Sequence, residues 1–122
     1  MAGLGTCGTV VGTGRYLRER QARIRVVAVE PDHGMHGMEG LKHLATSIVP
    51  EVYDRSAHDE MVTVSTEDAY RACAEVLASD GLLVGHSAGA ALVAARSLAA
   101  RVGEGVIVAL LPDGGERYLE AA

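Results

Sequence analysis

Short apolar runs alternate with helix-forming segments along this chain of 122 residues. The runs predict strands over residues 25–30, 60–64, 82–85 and 106–111, and the intervening segments predict helices over residues 9–21, 66–79 and 87–101. Strands that are apolar throughout are typical of a parallel sheet with helices on both faces. We therefore expect an α/β fold with three αβα layers and a mostly parallel sheet, forming one domain over residues 1–122.

The second predicted helix carries signals at both ends. Ser65 is of the type that caps a helix N-terminus, and Asp68, three residues later, is a weaker version of the acid in a capping box. Gly81 is expected to stop the helix.

Composition argues against several classes of partner. Eleven basic and 16 acidic residues give a net charge of −5, and the only aromatic residues are four tyrosines, so we expect no nucleic acid and no anionic membrane. The longest apolar stretch, residues 88–95, is too short to span a bilayer. Cys7 and Cys73 cannot form a disulfide framework, and no signal-peptide pattern is present. A cytoplasmic protein with reduced thiols is therefore expected.

Four histidines raise the question of a metal site: His33, His36, His43 and His58. Imidazole is a common metal ligand. Most of them lie in a loop rich in Gly and Met with no cysteine nearby, so we expect no metal.

A glycine-rich segment over residues 3–14 precedes the first predicted helix. Its start, GLGTCG, fits the pattern G-x-G-x-x-G, and Glu30 lies about where an NAD-binding domain places its ribose-binding acid. No strand precedes these glycines, as that domain would require. Backbone N–H groups at a helix N-terminus also bind phosphate in general, and Thr6 and Thr9 add hydroxyl donors. Phosphate binding is the favoured interpretation, and a purely structural glycine turn is the alternative.

A second motif, Gly85-His86-Ser87-Ala88-Gly89, fits the G-x-S-x-G nucleophile elbow of hydrolases. Those enzymes place the acid and then the histidine after the serine. Asp113 could supply the acid, but no histidine follows His86. The motif therefore argues against a hydrolase, and Ser87 could instead cap the following helix, which is compatible with a ligand contact.

Together these motifs resemble one enzyme family. The segments GLGTCGTVVGTGRYLRER, VVAVEP, VPEVYD, GHSAGAALVAA and LLPDGGERYL span the chain, and their order and spacing are similar to the C-terminal portion of a cysteine synthase (O-acetylserine sulfhydrylase). Cysteine synthases are fold-type-II pyridoxal-phosphate enzymes, as is cystathionine β-synthase. The resemblance implies a partial fold-type-II domain, related to the tryptophan synthase β-subunit, that binds pyridoxal 5′-phosphate.

The resemblance also implies site residues. The residues matching the loop that holds the cofactor phosphate are Gly5, Thr6, Cys7, Gly8 and Thr9, with Cys7 where glycine is usual. Ser87 matches the serine that hydrogen-bonds the pyridine nitrogen, and Pro112 matches a residue near that end of the ring. Gly40 matches a glycine of the loop on the substrate side. A hydroxyl at the ring nitrogen, unlike a carboxylate, does not hold the ring protonated, which suits β-elimination over transamination.

The reaction implied is replacement of the β-leaving group of O-acetylserine, or a similar activated serine, by a sulfide donor to make cysteine. The family's Schiff-base lysine lies in its N-terminal half, and the only lysine of this chain, Lys42, is interpreted as a surface residue outside that motif. We therefore expect no catalytic residue in this chain and no activity alone, with the missing half or a partner chain required. The full enzyme is expected to be a homodimer. The alternatives are a non-catalytic module for a phosphate ligand and an NAD-binding βαβ domain.

Overall fold

A computed structural model describes residues 1–3, 8–21, 23–32, 41, 56 and 58–116. Its elements, in chain order, are β1 (Ala2–Gly3), α1 (Gly8–Arg20), β2 (Val27–Pro31), β3 (Glu60–Val64), α2 (Thr66–Asp80) and α3 (His86–Val102). All three predicted helices, and the strands predicted over residues 25–30 and 60–64, are confirmed with ends shifted by at most two residues.

The three strands form one parallel sheet in the order β1, β2, β3. Ala2 lies opposite Ala28, and Val27 lies opposite Glu60. Parallel neighbours require a crossover connection, and α1 is the crossover between β1 and β2. The sheet is therefore built as the alternating sequence pattern predicts.

Helices cover both faces of this sheet. On one face, Val10 of α1 packs with Ala28 in a buried cluster. On the other, Ala90 and Ala94 of α3 pack with Val29. Because successive strand residues point to opposite faces, Ala28 packs on the side of α1 and Val29 packs on the side of α3. This arrangement confirms the three-layer αβα architecture.

The ends of α2 are set by local chemistry, as predicted. The Ser65 hydroxyl accepts a hydrogen bond from the Asp68 backbone N–H at 3.1 Å, which satisfies one of the unpaired N–H groups of the first turn. The Asp68 carboxylate pairs with Arg71. Gly81 ends the helix in the left-handed region, with φ of 69°, a conformation that glycine adopts at little cost.

The direction of α3 determines where its N-terminus lies. In its last turn, Arg101 forms an ion pair with Glu60, the first residue of β3, at 2.6 Å. The helix therefore runs antiparallel to the strands, and its first residues lie at the carboxyl ends of the strands. Since α1 follows directly on the carboxyl end of β1, the N-termini of both helices lie at this edge, which we call the carboxyl edge.

The strands predicted over residues 82–85 and 106–111 are wrong as sheet strands. In residues 82–85 the described pairing is one antiparallel bridge, between Val84 and Gly114. Residues 106–111 reach the sheet through Met1, whose amino group donates to the Val108 carbonyl at 2.6 Å while its carbonyl accepts from the Leu110 N–H. The described hydrogen bonds between residues 106–111 and the start of the chain are these two. Residues 106–111 were also expected to be buried, whereas Val106 is 93% exposed.

Candidate functional site

The carboxyl edge brings together three of the motifs found in the sequence. The first turns of α1 and α3 both lie there. The turn after residues 106–111 also reaches it, because the Gly85 N–H donates to the Asp113 carbonyl at 2.9 Å and the Gly115 N–H donates to the Leu83 carbonyl at 3.0 Å. In parallel α/β sheets, ligands bind at this edge.

The first turn of α3 presents backbone N–H groups without a side-chain cap. Its N-cap is Gly85, in extended conformation, with no side-chain hydrogen bond to the turn. Ser87 is the second helical residue, so the alternative prediction that Ser87 caps the helix is wrong. The serine is 7% exposed. Ser87 therefore lies in the first helical turn, among backbone N–H groups that a polar ligand atom could satisfy.

Charge at the two helix N-termini favours an anion. Neither α1 nor α3 has an acidic residue in its first turn, and both have basic residues in their last turn. The helix dipole places partial positive charge at the N-terminus. Without carboxylates in the first turns, that charge remains available to a phosphate.

The phosphate-loop prediction is only partly described by the structure. Gly8 begins α1, and Thr9 follows as an exposed residue of its first turn. The other residues assigned to this loop and to the substrate side lie outside the described residues: Gly5, Thr6, Cys7 and Gly40. Their assigned roles remain predictions.

Pro112 directly precedes the residues that pair with the N-cap of α3. The bridge between Val84 and Gly114 places it near the start of that helix, and its ring is exposed. The next turn is tightly packed: a Cβ added at Gly115 would lie 2.6 Å from the Val84 carbonyl oxygen. The structure therefore brings Pro112 to the same end of α3 as Ser87.

Helix α2 holds the first turn of α3 through a set of contacts that sequence reasoning missed. The Cys73 thiol donates a hydrogen bond to the Gly85 carbonyl at 3.4 Å. The rings of Tyr70 and His86 lie with centroids 4.0 Å apart. A Cβ at Gly89 would overlap the Ala69 carbonyl and approach the Cys73 sulfur to 2.6 Å. The one sequence signal was Gly89, which permits this close approach between helices.

Burial affects the chemistry of Cys73. Desolvation raises the pKa of its thiol, and hydrogen bonds from backbone N–H groups oppose this only in part. The neutral thiol is the form that donates to Gly85. Cys73 therefore acts as a half-buried packing and hydrogen-bonding residue.

The structure describes two histidines, His58 and His86. His86 stacks on Tyr70 and is buried. Residues 58–116 contain no other histidine than His58 and His86. Within the described ranges, no group of three His, Cys, Asp or Glu side chains is placed to hold a metal ion. Three of the histidines considered above, His33, His36 and His43, lie outside those ranges.

The residues at the carboxyl edge fit pyridoxal phosphate. The cofactor carries a phosphate, which the uncapped N-terminus of a helix can bind, and a pyridine nitrogen, which a buried hydroxyl such as that of Ser87 can contact. A model of the family of pyridoxal-phosphate-dependent enzymes matches residues 1–113. The chain belongs to this family. The cofactor of this family is pyridoxal phosphate. This finding favours pyridoxal phosphate over a dinucleotide as the ligand of the glycine motif.

The relatives narrow the family to enzymes of the cysteine synthase type. The chain is 47% identical to the cysteine synthase of Aquifex aeolicus, over 100% of this chain and 38% of the relative. It is 40% identical to the O-ureido-L-serine synthase of Streptomyces lavendulae, over 98% of this chain and 39% of the relative.

Crystal structures of such enzymes share the fold. O-acetylserine sulfhydrylase isoform 3 of Entamoeba histolytica superposes with a TM-score of 0.89 and 37% identity, over 98% of this chain and 38% of the other. A hydrogen sulfide-producing enzyme of Fusobacterium nucleatum superposes with a TM-score of 0.91 and 30% identity, over 98% of this chain and 43% of the other. The chain thus spans about two-fifths of the length of the relatives it matches.

No helix in the described part of the chain has the length and apolarity needed to cross a membrane.

Proposed function

We propose that this chain supplies the phosphate-loop and pyridine-nitrogen side of a pyridoxal-phosphate enzyme. In that enzyme, a sulfide donor replaces the β-leaving group of O-acetylserine, or of a similar activated serine, to make cysteine. The chain corresponds in this proposal to the C-terminal portion of the enzyme and forms a single domain over residues 1–122. The observation that carries the proposal is the position of Ser87, buried at the uncapped N-terminus of α3.

Each described element has a separate task in this proposal. The N-terminus of α1, from Gly8 and Thr9 onward, binds the cofactor phosphate together with Gly5, Thr6 and Cys7. The Ser87 hydroxyl contacts the ring nitrogen and leaves it unprotonated, which a carboxylate would not do. Pro112 borders the same end of the ring. When bound, pyridoxal phosphate supplies the electron sink for loss of the β-substituent.

The rest of the active site comes from outside this chain. We propose that the missing N-terminal half of the enzyme or a partner chain contributes the Schiff-base lysine, because Lys42 is the only lysine in this sequence and does not match the family's lysine motif. The complete enzyme is proposed to be a cytoplasmic homodimer. Gly40 is proposed to lie in the loop on the substrate side.

Binding of pyridoxine 5′-phosphate to the 122-residue chain tests the site directly. This compound has the phosphate and ring of the cofactor but an alcohol in place of the aldehyde, so it cannot form Schiff bases with Lys42 or the terminal amine. We expect saturable one-to-one binding by calorimetry and about fivefold weaker binding by the S87A variant, from the loss of one hydrogen bond. The S97A variant, altered at an exposed serine of the same helix, should bind unchanged.

A second experiment tests the reaction. The 122-residue chain is mixed with Aquifex aeolicus cysteine synthase from which the matched region has been deleted, and cysteine formation from O-acetylserine and sulfide is measured. Activity only in the mixture supports the proposal. Ligand binding without activity in any mixture favours the alternative, a non-catalytic module that binds the cofactor. Absence of saturable pyridoxine 5′-phosphate binding refutes both.

A further inference from the structure

His86 and Ser87 are the two polar side chains that are buried within the described part of the chain, with 5% and 7% of their surfaces exposed. They are adjacent, as the first two residues of α3. Burial of a polar ring gains less free energy than burial of an apolar side chain of similar size, so packing alone does not account for a histidine at this position. The proposed function uses Ser87 and assigns no role to His86.

The ring of His86 is in contact with an aromatic ring of the neighbouring helix. Its centroid lies 4.0 Å from that of Tyr70 in α2, and the two ring planes are inclined at 35°. Tyr70 is half-buried. Because the energy of a ring contact depends on orientation as well as distance, this contact restrains the direction in which His86 leaves α3.

The start of α3 has no other large side chain with which to fix its rotation about the helix axis. Residues 86–91 have the sequence HSAGAA. The other described contacts of this turn with α2 are made at Gly85 and Gly89, which have no side chains and place only backbone at the contact. Such contacts limit the distance between the two helices. The ring contact lies farther from the helix axis, so it is the one that restrains rotation of the first turn.

Rotation of this turn determines the position of Ser87. The serine follows His86 by about 100° around the helix. It lies on the same face as Ala90 and Ala94, which pack against the sheet. A rotation of about 12° moves an atom that lies about 5 Å from the helix axis by about 1 Å, which is enough to break a hydrogen bond. The ring contact on one face of α3 therefore controls the serine on the next face.

We propose that His86 and Tyr70 are positioning residues, whose ring contact sets the rotation of the first turn of α3 and so aims the Ser87 hydroxyl at the ring nitrogen of pyridoxal phosphate. This inference rests on the proposed function, in which Ser87 contacts that nitrogen. Neither ring is assigned a contact with the cofactor. A binding group must be held within about 0.5 Å of its productive position, so loss of the ring contact weakens the nitrogen contact while the fold is retained.

A double-mutant cycle on pyridoxine 5′-phosphate binding tests this assignment. H86L removes the ring and keeps a buried apolar side chain. We expect about three- to fivefold weaker binding by H86L, and no greater loss than in S87A, because the hydrogen bond to the nitrogen is what is lost. In the S87A background, H86L should change binding by less than about 1.5-fold, because that bond is already absent. An equal loss in both backgrounds would indicate a general effect on the fold and would overturn the inference.

Substitutions of the partner ring provide the same test from α2. Y70L should reproduce the effect of H86L, and Y70F, which keeps a ring, should bind within about twofold of the unaltered chain. The matched control is Y16L, altered at an exposed tyrosine of α1 whose ring contacts Arg20, and it should bind unchanged. Because Tyr70 is only partly buried, Y70L decides the question if H86L does not fold. Equal binding by Y70L and Y16L would overturn the inference.

Absorbance of the bound ligand gives a readout that a change in stability alone would not move. The near-ultraviolet spectrum of a hydroxypyridine depends on protonation and hydrogen bonding at its ring nitrogen. With saturating pyridoxine 5′-phosphate, the spectra of H86L and Y70L should shift toward that of S87A, and the spectrum of Y16L should match that of the unaltered chain.

The outcomes separate this inference from the proposed function. Absence of saturable binding by the unaltered chain, or equal binding by S87A and the unaltered chain, would refute the proposed contact of Ser87 and this inference with it. A loss of affinity and a spectral shift in S87A that neither H86L nor Y70L shares would refute the positioning role alone.

Discussion

The thiol of Cys73 and the carbonyl of Gly85 form a hydrogen bond of 3.4 Å that ties α2 to the N-cap of α3. Ser87 lies two residues further along. The bond, the ring contact of Tyr70 with His86 and the close approach of α2 to Gly89 together fix the start of α3. The position of the serine is thus set by contacts between α2 and the start of α3.

Replacement of Cys73 should therefore weaken ligand binding without removing a ligand contact. In C73A the Gly85 carbonyl keeps the Gly89 N–H as a donor but loses the Cys73 thiol, and a small cavity forms. We therefore expect a loss of about 1–2 kcal/mol of unfolding free energy and weaker pyridoxine 5′-phosphate binding. In C73S a hydroxyl donor is retained, and binding should recover toward that of the unaltered chain. Urea denaturation and calorimetry measure the two effects. Equal binding by C73A and the unaltered chain would contradict this account.

Closer packing at Gly89 should be poorly tolerated. G89A places a methyl group against the Ala69 carbonyl and the Cys73 sulfur, so the helices must separate, at an expected cost of about 1–3 kcal/mol. The control is G12A in α1, where an added Cβ meets nothing within 4 Å. That change should be neutral or stabilise the protein by about 0.5–1 kcal/mol, because alanine favours helix. Thermal denaturation of both variants checks this, and a stable G89A would show that the α2–α3 contact is looser than described.

Loss of the α2 cap should destabilise the fold without affecting the cofactor site. S65A removes the hydroxyl that accepts from the Asp68 N–H, and we expect a loss of about 1 kcal/mol. S65D, which preserves an acceptor, should lose much less. The readout is the urea midpoint, with pyridoxine 5′-phosphate binding measured well below that midpoint. A binding defect in S65A would mean that the two ends of α2 are coupled.

Stability of the 122-residue chain should rise with pH up to about 8. Burial lowers the pKa of the Met1 amino group below its ordinary value of 8.0, so the unfolded chain binds more protons than the folded chain between the two pKa values. The unfolding free energy therefore increases as pH rises through this window and levels off above the unfolded pKa. The test compares two samples: the chain with a free Met1 amino group, verified by mass spectrometry, and the same chain acetylated at its N-terminus. The acetylated chain should lack this part of the pH dependence. Identical pH profiles for the two would contradict the prediction.

The Cys73 thiol should react slowly with alkylating agents. Burial raises its pKa, and the thiolate is the reactive form. In a C7S background, alkylation by iodoacetamide at pH 8 should be slower for the folded chain than for the chain in urea, and the difference should narrow as pH increases. Equal rates in the folded and urea-denatured chains would mean that the thiol is not protected.

The sequence alone was sufficient for the elements whose signals are local. Ser65 and Gly81 mark the ends of α2 because a cap involves groups only a few residues apart. The glycine pattern and the order of motifs likewise indicated the family. The strand at residues 60–64 was predictable because β-branched residues such as Val62, Thr63 and Val64 favour extended structure.

Only the tertiary structure decided what depends on a distant partner. Residues 106–111 have the composition of a buried strand, yet Val106 is 93% exposed, and they join the sheet region through the hydrogen bonds of Met1 with Val108 and Leu110. Likewise, no local signal at Cys73 indicates that its thiol bonds to Gly85, because that contact exists only once α2 packs against α3. Helix propensity and capping depend on residues only a few positions apart. Strand pairing and helix packing bring together segments that are distant in sequence, so no local pattern predicts these contacts.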